Sequence, residues 1–169
     1  MENIKLYEIN PDYIDFLARY EPHLFRNSAP GQKNARKYIG VVMQVDGMDY
    51  FAPLSSFKKK HEGMRETIDM MKIGRYAVIN LNNMFPVPQG CMHYVNISAE
   101  QDVNYRMLLL AEYRIIKSRQ ERIRKNAEQV YRLKVSGKES GLTKRCNDFS
   151  ALEQAYMEYG EALGRHDIR

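Results

Sequence analysis

The sequence contains no tryptophan and only two cysteines, Cys91 and Cys146, among its 169 residues. Two such distant cysteines form neither a Cys-x-x-Cys pair nor a zinc signature, so we expect free thiols in a reducing compartment, with a disulfide as the alternative. Residues 1–10 lack the apolar stretch of a signal peptide, and no run approaches the roughly 18 apolar residues that cross a bilayer. These absences predict a cytoplasmic protein with no membrane contact.

The sequence also lacks a glycine-rich phosphate loop and any internal repeat. Glu62, Glu66 and Asp69 follow a histidine at helical spacing, but no partner cluster of metal ligands occurs elsewhere, so an exposed helix face is the favoured interpretation. We therefore predict neither a metal nor a cofactor. The four histidines do not pair in the sequence: His23, His61, His93 and His166.

Positive charge is concentrated in one third of the chain. The net charge is +5 overall, but residues 101–145 contain 12 Lys or Arg against 5 Asp or Glu, a net charge of +7 that leaves −2 for the remainder. Clustered cations bind nucleic acid by neutralising phosphates and releasing counterions. The segment 101–145 therefore favours a nucleic-acid partner, with a solvated helix face as the alternative.

The first two thirds of the chain have the pattern of strands separated by loops. Asn10-Pro11-Asp12 predicts a helix start, and a helix should cover residues 13–20. The Asp46-Gly47 pair predicts a hairpin turn, with Tyr50 and Phe51 on opposite faces of the returning strand. Strands are predicted over residues 4–9, 38–45, 49–54, 76–81 and 84–87.

The last third has helical periodicity. It predicts one long helix over about residues 103–135, or two helices with a break, ended by Gly137 and Gly141, and a last helix over about residues 150–163. Strands followed by helices predict a single α+β domain spanning residues 1–169, with an antiparallel sheet and helices on one side. Four apolar residues recur every seven positions: Leu109, Ile116, Ile123 and Val130.

The sharpest local motif lies where the second hairpin strand should end, at Ser55 and Ser56. Metal-free RNA cleavage must remove a proton from the 2′-hydroxyl, supply one to the leaving 5′-oxygen and stabilise the charge of the phosphorane. Serine hydroxyls can hold the nonbridging oxygens, and an ammonium group supplies charge and a proton. The alternative is a basic surface loop. Three lysines and a histidine follow the serines: Lys58, Lys59, Lys60 and His61.

Further candidates for RNA contact lie elsewhere in the chain. In the early loop, Arg36 could clamp a phosphate bidentately and Lys33 could act as a point charge. Tyr13, in the first turn of the first helix, could stack on a base or present its hydroxyl to a phosphate; packing against the sheet is the alternative. The candidates in the basic segment are Arg114, Lys117, Arg122 and Arg124.

The serine motif and the strands around it resemble the ToxN/AbiQ family of type III toxins, and the CptN toxins look nearest. The resemblance covers nearly the whole chain. It rests on several matching blocks that occur in the same order, which together identify the family more specifically than any single block does. Gln32 stands where some members of the family carry a tyrosine, which could alter base preference. The matching blocks lie at residues 7–17, 38–42, 49–61, 79–86, 105–108 and 146–153.

The resemblance implies a fold, an activity and a partner. The fold would be a twisted, barrel-like antiparallel sheet, as in the Kid/MazF toxins, with a long C-terminal helix and additional short helices. The activity would be sequence-selective, metal-independent cleavage of single-stranded RNA that leaves a 2′,3′-cyclic phosphate and a 5′-hydroxyl, with a role in phage defence. The partner would be an antitoxin RNA pseudoknot that traps the toxin in a closed protein–RNA hetero-oligomer.

The resemblance also implies site residues. The strand-end pair of hydroxyls falls on Ser55 and Ser56, the lysine of the catalytic loop on Lys58, the helix tyrosine on Tyr13 and a basic residue of the early loop on Arg36. We hypothesise that the lysine and the two serines grip the scissile phosphate while the 2′-hydroxyl attacks.

The group that removes the 2′ proton stays open between Lys58 and His61, because either could act as a base beside the serines. Covalent catalysis by a serine is not favoured, since no base and orienting group stand beside it. Three alternatives remain: an RNA-binding protein without catalytic activity, a metal-dependent nuclease, and a helical interaction protein whose heptad stripe pairs with another chain.

Overall fold

The computed structural model describes residues 2–27 and 33–167, with side chains up to residue 163. Its strands are β1 (Lys5–Ile9), β2 (Tyr38–Val45), β3 (Met48–Ser56), β4 (Met70–Ile73), β5 (Ala77–Asn80), β6 (Phe85–Pro86) and β7 (Met92–Tyr94). Its helices are α1 (Pro11–Leu17), α2 (Lys59–Glu62), α3 (Val103–Ser118), α4 (Gln120–Val135), α5 (Gly141–Arg145) and α6 (Phe149–Asp167). The predicted α+β class is confirmed.

Local sequence signals set the first helix and the hairpin as predicted. The side chain of Asn10 accepts a hydrogen bond from the backbone N–H of Asp12 at 3.0 Å, and Pro11 fits the first helical turn, where a missing N–H costs nothing. Asp46 and Gly47 both adopt positive φ, 49° and 79°, as a tight hairpin turn with right-handed strand twist requires. The turn joins β2 and β3 at the predicted place.

The strands form a seven-stranded sheet in which every pairing is antiparallel. The order is β4-β5-β3-β2-β1-β7, and β6 pairs with β3 outside this path. β3 has nine residues and pairs with β2, β5 and β6, so it is the central strand of the sheet. β4 and β7 were not predicted.

The expectation of helices on one side of the sheet is wrong. Alternation along β3 puts Tyr50 in one apolar cluster, with α3 and α4, and Phe51 in a second, with α1. α6 contributes to both clusters, through Phe149 to the first and Leu152 to the second. The sheet is therefore covered by helices on both faces.

The basic segment forms two helices, as one of the two alternatives predicted. The break falls at Arg119, whose guanidinium donates to the Lys72 carbonyl at 2.8 Å and forms an ion pair with Glu66. Gly137, with φ 80°, follows the end of α4, whereas Gly141 begins α5 rather than ending the preceding helix. The four heptad residues are all buried at 1% exposure or less, so the stripe packs on its own sheet.

The predicted exposed helix face over Glu62, Glu66 and Asp69 is also wrong, because α2 ends at the first of these residues. The Glu66 carboxylate accepts from the backbone N–H of Lys72 at 2.8 Å, and Asp69 is buried and accepts two hydrogen bonds from Arg145. Both acids therefore stabilise the connection into β4.

Both cysteines are buried and free, which confirms the expected thiols. Within residues 2–27 and 33–167, no helix is long and apolar enough to cross a membrane.

Candidate active site

An open cleft of about 320 Å³ lies between the end of β3 and residues 105–112 of α3. The segment before β2 and the turn between β4 and β5 complete its walls. The predicted residues Ser55, Ser56, Lys33 and Arg36 all line this cleft, so the fold brings them together. Lining residues that sequence reasoning did not select include Lys37, Tyr76, Tyr105 and Glu112.

The side chain of Ser55 is held by two donors. Its Oγ accepts a hydrogen bond from Asn80 Nδ2 at 2.9 Å and another from Arg36 Nη1 at 3.2 Å. A serine hydroxyl has two acceptor lone pairs and one O–H donor. Because both lone pairs are occupied, the remaining hydroxyl proton can only be donated, and the cleft offers the place for an acceptor.

Arg36 is itself fixed by the backbone. Its Nε donates to the carbonyl of Arg26 and its Nη1 to the carbonyl of Leu54, both at 2.8 Å, while its guanidinium carbon lies 5.1 Å from the centre of the Phe25 ring. Burial lowers the pKa of Arg36 from its usual value, yet a guanidinium in a protein stays protonated. The cleft therefore contains a fixed positive charge beside Ser55.

Ser56, the last residue of β3, is exposed, and its side chain forms no hydrogen bond with any described residue. Ser55 and Ser56 pair with Val78 and Ala77 of β5, so the strand fixes their backbone while the chain beyond it turns away. Both serines line the same cleft. The predicted position of the two serines at the end of a strand agrees with this geometry.

Lys58 begins the loop beyond the serines, is exposed, and does not line the cleft. Its backbone N–H donates to the imidazole Nδ1 of His61 at 2.8 Å, and the backbone N–H of His61 donates to the Lys58 carbonyl at 2.9 Å. Burial, followed by the nearby charges of Lys60, Lys58 and Lys72, lowers the pKa of His61. The imidazole is only 8% exposed, and its Nδ1 accepts the hydrogen bond that fixes the backbone of Lys58.

Two lysines at the cleft take part in ion pairs. Lys33 Nζ lies 3.4 Å from Asp102 Oδ2 at the start of α3, and both groups are exposed. Lys37 is buried, with its Nζ 2.8 Å from Glu8 Oε1 and 3.1 Å from the carbonyl of Ala35. An RNA phosphate could compete for the first lysine in water, but displacing the second from its partner would leave a buried charge unpaired.

Tyr13 lies away from the cleft. It is fully buried, and its hydroxyl donates to the carbonyl of Pro86 at 2.6 Å. The centroid of its ring lies 4.9 Å from the centroid of the Tyr159 ring. Burial raises its pKa further above the ordinary tyrosine value. This position agrees with the packing alternative, and we do not include Tyr13 in the proposed site.

The cationic candidates of the helices divide into two groups. Arg114, Lys117 and Arg122 are exposed, whereas Arg124 donates to the backbone carbonyls of Val41 and Glu2. None of them lines the cleft. Six cations of segment 101–145 bond the protein itself: Arg106, Arg119, Arg124, Arg132, Lys134 and Arg145.

Lys59 and Lys60 are exposed on α2 and do not line the cleft. Part of the early loop, including Gln32, lies outside the described residues, as does the side chain of His166. In the described part of the chain, no three His, Cys, Asp or Glu side chains form a group that could hold a metal ion.

Sequence signals for two of the missed residues existed. Asn80 lies inside one of the blocks that carried the family resemblance. Glu112 stands three residues after Leu109 and four before Ile116, so it occupies the apolar stripe of α3. A carboxyl group on the buried face of a basic helix is unusual enough to mark a candidate site.

Comparison with known proteins places this chain among the toxins of type III toxin–antitoxin systems. Residues 5–157 match the family described as toxin ToxN, type III toxin–antitoxin system. The chain belongs to this ToxN family. It is 31% identical to Endoribonuclease ToxN of Bacillus thuringiensis subsp. kurstaki, over 95% of this chain and 86% of the relative. It is 26% identical to Endoribonuclease ToxN of Pectobacterium atrosepticum, over 94% of this chain and 95% of that relative.

Solved structures show the same fold. One solved structure comes from a type III toxin–antitoxin system with selective toxin inhibition by a non-coding RNA pseudoknot. Its chain is 29% identical to this one, with a TM-score of 0.82 over 95% of this chain and 99% of that chain. AbiQ, a lactococcal anti-phage endoribonuclease, is 22% identical, with a TM-score of 0.84 over 95% and 99%, which shows a shared fold. The predicted family and fold are confirmed.

Proposed function

We propose that this protein is a cytoplasmic endoribonuclease that cleaves single-stranded RNA without a metal ion. The observation that carries the proposal is the Ser55 hydroxyl in the cleft, whose lone pairs are filled by Arg36 and Asn80, so that its proton is left for a phosphate oxygen. The relatives named Endoribonuclease ToxN support this class of reaction.

In the proposed reaction the 2′-hydroxyl attacks the adjacent phosphorus and the 5′-oxygen leaves, which yields a 2′,3′-cyclic phosphate and a 5′-hydroxyl. Ser55 and Ser56 donate to the nonbridging oxygens, and the fixed guanidinium of Arg36 adds positive charge behind them. Lys58 does not line the cleft, but it begins the loop two residues beyond Ser56, where His61 fixes its backbone; from there its ammonium would reach the phosphate, stabilise the phosphorane and protonate the leaving oxygen. Preorganised donors of this kind are worth about 3–4 kcal/mol each in a transition state.

The proposed partner is an antitoxin RNA pseudoknot, which the toxin would process from a repeat and which would then hold it in a closed protein–RNA hetero-oligomer. A homologous toxin of known structure is inhibited by a non-coding RNA pseudoknot. The exposed cations Arg114, Lys117 and Arg122 would contact the RNA backbone. AbiQ, described as anti-phage, supports a role in phage defence.

Incubation with adenine-rich single-stranded RNA in excess EDTA tests this function. Cleavage that leaves a cyclic phosphate, detected because phosphatase does not remove it until acid opens the ring, is the expected result. Intact RNA in EDTA, with or without later Mg²⁺-dependent cleavage, would reject the metal-free enzyme. Binding without cleavage under all conditions would instead indicate an RNA-binding protein.

A further inference from the structure

An acidic side chain lies in the same cleft as the two serines. Glu112 projects from α3, lines the cleft with Ser55 and Ser56, and is only 7% exposed. It is flanked on its helix by Leu109 and Ile116, both buried at 1% or less. A carboxyl group in such apolar surroundings loses much of its hydration, which favours its protonated form.

The Glu112 carboxyl group forms no hydrogen bond and no ion pair with any side chain or backbone group of residues 2–27 and 33–163. Every fully buried side-chain oxygen or nitrogen in the described structure has a hydrogen-bond partner. The unpaired Glu112 oxygens are therefore not sealed inside the protein, and the cleft that this residue lines is where they meet solvent.

The surrounding groups leave this carboxyl group available. Lys37 is the cation that acts on it, but its ammonium is bonded to Glu8 and to the carbonyl of Ala35. Burial, opposed only by Lys37, raises the pKa of Glu112 to about 7. The other titratable groups of the cleft and of the strands packed on α3 are Lys33, Arg36, Tyr76 and Tyr105, with Lys5, Tyr7 and Glu8 on β1 and Lys72 on β4.

We propose that the Glu112 carboxylate is the general base that takes the proton from the attacking 2′-hydroxyl. This inference rests on the proposed ribonuclease function and names a step that the serines and Lys58 do not supply. Hydroxyls held as donors cannot accept that proton, and the His61 nitrogen that faces Lys58 already accepts a hydrogen bond. Glu112 is a carboxyl group that lines the same cleft and has no partner among the described residues.

The proton balance of the step is complete. The 2′-oxygen forms its bond to phosphorus as its proton passes to Glu112, and the bond from phosphorus to the 5′-oxygen breaks. The 5′-oxygen takes a proton from the Lys58 ammonium, which recovers one from water. Glu112 returns its proton to solvent through the open cleft, so no metal, oxidant or further reactant is required.

The test is the pH profile of single-turnover cleavage in EDTA by wild type and Glu112→Gln. The wild-type rate should rise tenfold per pH unit below about pH 7 and level off above it, because only the carboxylate accepts a proton. Glu112→Gln should lower the plateau rate about 10²-fold or more and abolish this rise. Glu121→Gln, at an exposed position of α4, should keep both rate and profile.

A substrate with sulfur in place of the scissile 5′-oxygen separates base from acid, because a thiolate leaves without a proton. Glu112→Gln should remain impaired on this substrate; full recovery would make Glu112 the acid and overturn the proposal. A wild-type profile in Glu112→Gln, or a slower rate with an unchanged profile, would also overturn it. If wild type itself does not cleave in EDTA, the proposed function fails instead. A urea unfolding curve for each variant verifies folding.

Discussion

At the residue scale, Ser55 and Ser56 are consecutive on β3 but differ in what holds them. The first is half-buried and accepts hydrogen bonds from Arg36 and Asn80, whereas the second is exposed and forms no side-chain hydrogen bond with any described residue. Removal of a hydroxyl that accepts from two donors costs stability, since it leaves those donors unpaired, and this cost adds to the loss of catalysis that the proposed mechanism predicts. The two serines therefore predict different outcomes for the same substitution.

Ser56→Ala and Lys58→Ala should each lower the single-turnover cleavage rate by about 10²-fold while leaving the free energy of unfolding unchanged, because both side chains are exposed. Ser55→Ala should lower the rate by a similar factor and also destabilise the fold by about 1–3 kcal/mol. Cleavage in EDTA and urea unfolding measure the two effects. Ser98→Ala and Lys138→Ala, at exposed positions, serve as controls, and wild-type rates in the first two variants would remove those residues from the site.

Asn80 supplies a second prediction at this scale. Asn80→Asp replaces the amide donor to Ser55 by an acceptor, so the serine hydroxyl would turn its proton toward the new carboxylate instead of the phosphate. We expect a loss of about tenfold or more in cleavage rate, as removal of one hydrogen bond to a charged transition state implies. Single-turnover kinetics measure it. Asn104→Asp, exposed on α3, is the matched control, and equal rates for both variants would show that the serine does not depend on this amide.

At the element scale, the two basic helices combine structural and exposed cations. Arg119 fixes the break between α3 and α4, and Arg124 bonds two carbonyls, so these cations hold the helices in place. On α3, Arg114 lies two residues beyond Glu112, and helical geometry turns it by roughly 200° from the cleft. The exposed cations Arg114, Lys117 and Arg122 therefore lie outside the cleft.

Arg114→Ala with Arg122→Ala should weaken binding of the antitoxin RNA and leave cleavage of a short RNA nearly unchanged. Each lost phosphate contact should flatten the slope of log affinity against log salt by about one unit. Filter binding or fluorescence anisotropy at several salt concentrations measures the slope. Arg19→Ala, at an exposed position outside the basic helices, should not alter the slope. An unchanged slope in the double variant would reject these helices as an RNA surface.

At the scale of the whole molecule, Glu112 links stability to pH. Burial raises its pKa from 4.5 to about 7, so the folded state binds more protons than the unfolded state between these values. The contribution of Glu112 to the free energy of unfolding is therefore fully present below pH 4.5 and is lost as the pH rises through 7. Because each unit of pKa shift corresponds to about 1.36 kcal/mol, the loss approaches about 3 kcal/mol.

Glu112→Gln should remove this dependence. We expect the variant to match wild type in free energy of unfolding near pH 4.5 and to exceed it by up to about 3 kcal/mol at pH 8, since the amide needs no deprotonation. Urea unfolding at the two pH values measures the difference, with Glu121→Gln as the control. A variant that is less stable than wild type at pH 8 would show that Glu112 contributes to the fold as an ion.

The sequence by itself determined the features that rest on local patterns. Alternation and the Asp46-Gly47 turn predicted the central hairpin, and the heptad stripe predicted that the basic segment is helical, as one long helix or two, with a buried apolar face. The same hairpin pattern predicted that Ser55 and Ser56 stand at the end of the returning strand, where β3 ends. Each of these depends on residues close in the chain, or on one element and its own periodicity, which is why a pattern suffices.

Only the tertiary structure decided which distant groups meet. Asn80 and Arg36 reach Ser55 from two different parts of the chain, and Glu112 enters the same cleft from α3. Tyr13 was placed in the interior rather than in the site, because the fold provides the Pro86 carbonyl as a partner for its hydroxyl. Contacts between residues far apart in sequence arise from the packing of helices on both faces of the sheet, and no local pattern encodes that arrangement.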